Sequence, residues 1–281
     1  MKYGTLVRIP EGEGLSEICA EKFGAIAKMG FEACQLVYKP EKYRIEDADI
    51  IRAAADANGI EISAQFCGYR TGWYCWDIYF DYNNAGINIP AFKESRLGYI
   101  LSAIPFMKRL GVTDMIIHAG FVPNNPFEAA YGEMLSSVRV LGNELKRNNM
   151  NLLFETGTES PVTLLRLIAD SGLDNLFINF DTGNLILYGY GNPVDAIYTF
   201  GRYIRNMHAK DGLPPTDPRL LGREVTIGTG YVDFDRVFCE LAKLGYDRYV
   251  IIEREIGSGD QSAEIAKAAD YLKATAAKYY T

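Results

Sequence analysis

Residues 112–155, VTDMIIHAGFVPNNPFEAAYGEMLSSVRVLGNELKRNNMNLLFE, decide the fold. The stretch opens on a short apolar run that ends at His118 and closes on a second, Leu152-Leu153-Phe154-Glu155. Between them, Asn125-Pro126 reads as an N-cap followed by the first residue of a helix. Tyr131, Met134, Leu135, Val138 and Leu141 then recur at helical spacing. Strand, amphipathic helix and strand in that order form a parallel βαβ unit.

Outward from this unit the same alternation fills the chain. Strand patterns fall at 2–7, 32–37, 60–66, 112–118, 151–155, 176–181, 203–208 and 248–253. Helical patterns fall near 15–29, 46–58, 92–110, 126–148, 161–171, 193–201, 233–244 and 260–278. Eight of each over 281 residues predict a (β/α)8 barrel. A doubly wound open sheet is the alternative, but no glycine-rich dinucleotide turn follows the first strand. Ser160-Pro161 repeats the helix-start signal, and Asp233 is placed to cap a helix with Val237, Phe238, Leu241 and Leu244 on its apolar face. Pro105 predicts a kink or split in the third helix. No linker or low-complexity tract interrupts 1–281, so one barrel domain is expected. Two connections are long, 67–91 and 209–232, and both follow strands, at the end where barrels build their sites.

The bulk numbers exclude some classes. The net charge of −7 argues against a sequence-independent hold on nucleic acid, which needs clustered Lys and Arg. Five scattered cysteines (19, 34, 67, 75, 239) with no CxxC pair fit a reducing compartment. Met1 leads almost at once into a strand, so no signal peptide is expected, nor any run long enough to span a membrane. The expected location is the cytoplasm.

The site is read from strand ends. Glu155, Asp181, His208 and Glu253 close the fifth, sixth, seventh and eighth strand patterns, and consecutive strands make them neighbours on one rim. Three carboxylates with one imidazole suit one divalent cation per chain, Mn²⁺ first, with Mg²⁺, Co²⁺ or Zn²⁺ as alternatives. A strand-end carboxylate can also cap the next helix, but four such residues on consecutive strands favour the shared site.

The sequence resembles the sugar phosphate isomerase/epimerase family, xylose isomerase-like TIM barrels that include tagatose 3-epimerase-type enzymes. The matching runs are LLFETGTES (152–160), NFDTGNLILYGYGNPVDA (179–196), MHAKDG (207–212), GTGYVDF (228–234) and VIIEREI (250–256). The resemblance implies that Glu155, Asp181, His208 and Glu253 bind the metal, that both glutamates move protons, and that the chain forms dimers or tetramers. Three positions depart from the family. Asn184 stands where many relatives have a second histidine. Pro161 stands six residues after the first metal glutamate, where epimerases carry a substrate-binding glutamate, with Glu159 nearby. Thr229 stands where relatives often have Glu. These departures spare the metal set and withhold a substrate assignment.

The implied chemistry is isomerisation or epimerisation of a sugar, sugar phosphate or keto-sugar by proton transfer through a metal-stabilised enediolate. A lyase or dehydratase acting on a keto-sugar or keto-inositol is the alternative, and a sugar-binding barrel without turnover is another. Endonucleases of the same fold hold three zinc ions through many histidines, which two histidines cannot supply. His118, Lys210 and Asn184 are read as substrate contacts, against a packed His118 and a solvated Lys210. Lys210 shares a strand side with His208, and Glu255 with Glu253, while Arg254 points away. Trp73 and Trp76, with Tyr69, Tyr74, Tyr79, Phe80 and Tyr82, make the first long loop a partial aromatic lid for a neutral carbohydrate, or else a hydrophobic plug or dimer contact. Neither a membrane nor a nucleic acid is expected as partner.

Overall fold

The computed structural model describes residues 1–10, 13–69, 74–81, 85–257 and 259–280. Eight parallel strands close in sequence order: β1 (Lys2–Val7), β2 (Ala33–Tyr38), β3 (Glu61–Cys67), β4 (Asp114–Ile117), β5 (Asn151–Glu155), β6 (Leu176–Asp181), β7 (Ile204–Ala209) and β8 (Tyr249–Ile252), with β8 returning to pair with β1. This is the (β/α)8 barrel that the alternation predicts. Strand side chains alternate between two environments. Leu152, Phe154, Ile178, Phe180 and Met207 join the main apolar core. Ala64, Ile116 and Leu153 form a much smaller apolar cluster of their own, with Phe66 and Phe177 against it.

Helix starts follow local chemistry. Ser160 Oγ accepts from the Thr163 amide and Pro161 opens the helix Pro161–Ser171. Asp233 caps Phe234–Lys243 through the Arg236 amide. Pro105 lies in the first turn of Ile104–Leu110, which follows Lys93–Leu101 after a break, as its ring requires. The reading of Asn125 as an N-cap is corrected. Its Oδ1 accepts from the Phe127 amide at 3.0 Å in a local turn, and the helix begins only at Ala129. A short polar side chain that captures the amide two residues on competes with helix initiation.

Three elements escaped the sequence pattern. A short helix, Thr182–Leu187, follows β6 directly. A hairpin, Asp211–Leu213 with Arg223–Val225, fills part of the long connection after β7. Asp211 organises it: one carboxylate accepts the amides of Gly212, Gly228, Gly230 and Val232. A four-residue helix, Ile78–Asp81, lies in the first long loop. No helix among the described residues is long and apolar enough to cross a membrane.

Barrel closure brings β1 tightly onto β2. A Cβ on Gly4 would lie 2.0 Å from the Ala33 carbonyl oxygen, a contact only backbone movement relieves. Gly4→Ala should therefore destabilise the fold by about 3 kcal/mol, the cost of overpacking a rigid seam. Urea unfolding followed by circular dichroism measures this; coincident midpoints would show that the close approach does not constrain closure.

Candidate active site

Four strand ends converge as a buried cluster. One ligand atom from each of Glu155, Asp181, His208 and Glu253 lies within 4.8 Å of the others, and all four residues are buried. Sheet register sets this up. Asp181 pairs with His208 across β6 and β7, and the Glu253 amide donates to the Ala209 carbonyl beyond β8. His208 Nδ1 lies 3.2 Å from Glu155 Oε1 and 3.1 Å from Glu253 Oε2. Asp181 Oδ2 is 3.7 Å from the same nitrogen.

The other imidazole nitrogen is fixed from across the barrel. His208 Nε2 donates to Gln35 Oε1 at 2.6 Å, and Gln35 Nε2 donates to Asn179 Oδ1 at 3.2 Å. Gln35 is on β2, which neighbours neither β6 nor β7, so these bonds cross the barrel interior. The carbonyl of Gln35 assigns the proton to Nε2 and leaves Nδ1 facing the carboxylates. The sequence reading missed Gln35. Its signal was a polar side chain in the middle of the buried run ACQLVY.

Lys210 is part of the cluster. Its ammonium reaches Glu253 Oε2 at 2.8 Å, Glu255 Oε2 at 2.7 Å, Asp181 Oδ2 at 3.2 Å and Asn184 Oδ1 at 3.2 Å, and the side chain is 1% exposed. Asn184 bridges, donating through Nδ2 to Glu155 Oε1 at 3.4 Å. Arg254 points away, pairing with Glu224 at 2.6 Å and Glu264 at 3.0 Å.

Charge crowding moves the proton affinities. Burial raises the Glu155 carboxyl to about 8, reinforced by Glu253 and opposed by His208. Burial also opposes ionisation of Glu253, but Lys210 and His208 more than offset it and hold that carboxyl well below its usual value. Burial disfavours the His208 imidazolium, yet the carboxylates of Glu253 and Glu155 hold its proton well above the ordinary range. Lys210 behaves the same way, kept charged against burial by Asp181, Glu253 and Glu255. His118 is the opposite case, lowered to about 4 chiefly by burial, so its imidazole is neutral.

The donor set fits a divalent cation. Glu155 Oε2 is a buried acceptor without a hydrogen-bond partner, and Asp181 Oδ2 beside it meets only the ion pairs to Lys210 and His208. Oxygen-rich ligation with one imidazole is the hard-cation pattern. The four residues thus form a buried group able to bind a metal.

A cavity of about 280 Å³ opens onto the cluster, lined on its polar side by Glu253, His118 and Asn184. Phe66, Tyr69, Tyr74, Trp76 and Tyr188 form its aromatic wall. Trp76 packs on His118 with ring centroids 4.7 Å apart. His118 Nε2 lies 3.6 Å from Glu155 Oε2. Trp73 and Tyr82 lie outside the described residues, as does the side chain of Phe80.

The family described as "Xylose isomerase-like TIM barrel" matches residues 23–275. The chain belongs to that family. A xylose isomerase domain protein from Planctomyces limnophilus has 29% identity, covers 99% of this chain and 97% of its own, and superposes with a TM-score of 0.86. The 3-keto-D-glucoside 4-epimerase YcjR from E. coli shares the fold at a TM-score of 0.70, with 18% identity over 98% of this chain and 99% of that one. An inosose dehydratase from Clostridium botulinum is 25% identical over 128 residues, a match spanning 41% of each chain.

Two outcomes test the cluster. Gln35→Leu should weaken Mn²⁺ retention about 10- to 100-fold, the usual cost of losing the partner that orients a ligating histidine. Equilibrium dialysis reads it, and unchanged retention would remove Gln35 from the site. The second outcome concerns protons. The carboxylates favour the His208 imidazolium, with a second proton on Nδ1 besides the one that Nε2 donates to Gln35, so a cation taking Nδ1 must displace it. Binding at pH 7 should release at least about one proton per cation, and affinity should rise with pH. Calorimetry in two buffers of different ionisation heat measures the release; none would place the cation elsewhere.

Proposed function

We propose that the protein is a divalent-metal-dependent isomerase or epimerase of a sugar or keto-sugar, working by proton transfer. The observation that carries this is the convergence of Glu155, Asp181, His208 and Glu253 within 4.8 Å, open to a cavity of sugar size. When bound, a divalent cation draws charge from a carbonyl oxygen and makes the adjacent C–H acidic.

The chain's own residues do the rest. Glu155 and Glu253 stand on β5 and just past β8, the outer members of a four-strand arc, and both reach His208 Nδ1. The Glu253 carboxylate takes the proton from the carbon beside the carbonyl, leaving an enediolate of the substrate. The Glu155 carboxyl returns a proton. Return to the opposite face of the same carbon inverts it, and return to the neighbouring carbon interconverts aldose and ketose. Either way the substrate's formula is unchanged. Asn184, held between Glu155 and Lys210, keeps the Glu155 carboxyl oriented. Neutral His118, on the cavity wall beside Glu155, is a hydrogen-bond partner for a sugar hydroxyl. The aromatic wall packs on the C–H faces of the ring and sheds water from the reacting carbon.

A second reading is a dehydratase. The inosose dehydratase match favours it, and the Glu155 carboxyl, which returns the proton in the first reading, can instead give it to a departing hydroxyl. The same first proton transfer would then end in loss of water.

One experiment separates these outcomes. The Mn²⁺-loaded protein is incubated in heavy water with a panel of keto-sugars and keto-inositols. Deuterium at one carbon, read by mass spectrometry after quenching, supports isomerase or epimerase action. An enone or diketone chromophore identifies a dehydratase. Glu253→Gln should lower either rate at least about 100-fold, the scale of a lost general base, with an unchanged circular dichroism spectrum. Undiminished turnover in that variant sinks its assignment as base.

A further inference from the structure

The cavity carries a cation that the chemistry above does not use. Arg8 follows β1 and lines the cavity, two residues beyond Leu6, which lines it too. It is the one Lys or Arg among the described lining residues. It is exposed, and it makes no ion pair or hydrogen bond with any described residue.

Its natural neighbour is engaged elsewhere. Thr5 pairs with Ile252 across β1 and β8, so continuing that register sets Arg8 beside Glu255. Glu255 Oε2 lies instead 2.7 Å from Lys210 Nζ. Lys210, in turn, is sealed within the acidic cluster and absent from the cavity surface. The two cations near the cavity therefore have separate duties. Lys210 neutralises the protein's own carboxylates, and Arg8 keeps its planar fork of donors free towards the ligand. A guanidinium left unpaired at the rim of a cavity with aromatic walls matches a terminal oxyanion better than a neutral hydroxyl, because charge-assisted and bidentate bonds are the strong ones.

We infer that the substrate is an acidic sugar derivative. Its carbonyl end lies at the Glu155, Asp181, His208 and Glu253 cluster, and a terminal carboxylate or phosphate lies at Arg8. This departs from the neutral carbohydrate expected from the aromatic loop alone, and it rests on the reading of the cluster as a metal-dependent sugar site.

The test uses unreactive polyol ligands and reads binding, not turnover. D-gluconate, D-glucitol and D-glucitol 6-phosphate are titrated calorimetrically into the Mn²⁺-loaded wild type, Arg8→Gln and Arg8→Lys. The inference expects one acidic ligand to bind at least about tenfold tighter than glucitol, a modest yield for charge-assisted hydrogen bonds. Gluconate against glucitol 6-phosphate tells carboxylate from phosphate. Arg8→Gln should erase the preference while leaving glucitol affinity unchanged, and Arg8→Lys should restore part of it. Equal binding of acidic and neutral ligands overturns the inference and leaves the sugar site standing. So does a preference that survives in Arg8→Gln, since it would then come from the bound ion. Failure of all three ligands to bind the wild type brings down the sugar-site reading, and this inference with it.

Discussion

Closure of the parallel sheet is the constraint from which the site follows. Parallel strands all end at the same rim, and closure in sequence order makes the ends of β5, β6, β7 and β8 immediate neighbours. Four polar residues that lie far apart in sequence are thereby pressed into one buried cluster. An isolated buried carboxylate would be neutral or hydrogen-bonded. Three around one imidazole make a debt of negative charge, and the surrounding chemistry answers it. Lys210 enters as a fixed ammonium, His208 retains a proton, and the remaining field suits a divalent ion.

That electrostatic reading also explains why the cluster is braced from the far side of the barrel. An imidazole among carboxylates can turn or change tautomer unless its other nitrogen is tied. Gln35 ties it, and Asn179 ties Gln35. The bracing residues lie on strands not adjacent to one another, so the barrel interior is a working part of the site as well as a packed core. The apolar cluster of Ala64, Ile116 and Leu153 is accordingly small.

Much of this was legible in the sequence, because period and position carry it. Apolar runs bounded by turns gave β1, β5 and β6 to the residue, and Pro161 with Ser160 gave a helix start. The four clustered residues were legible because each ends such a run. Lys210 was legible only as to side. Alternation put it with His208, but its partners Asp181, Glu253 and Glu255 depend on how three strands register, which no local pattern encodes. Gln35 was hidden for the same reason, since its partner is 173 residues away. The short helix Thr182–Leu187 escaped because a single turn and a half has too few positions to show a period. It is fixed instead by Asp181 Oδ1 accepting the Asn184 amide. Asn125 misled because an N-cap and a local side-chain turn use the same atoms.

The double use of Asp181 shows how tightly fold and chemistry are joined here. One oxygen caps the helix Thr182–Leu187, and the other faces His208 and Lys210. The cap fixes the side-chain torsion, so the second oxygen has little freedom in where it points. The helix in turn places Asn184 between Glu155 and Lys210. Backbone geometry therefore sets the spacing of the acidic cluster before any ligand arrives. A site assembled this way does not have to spend binding free energy on ordering its own donors. Binding free energy remains available for the part of a ligand that reaches beyond the cluster, and it is there, along the aromatic wall and at Arg8, that discrimination between one ligand and another has to be made.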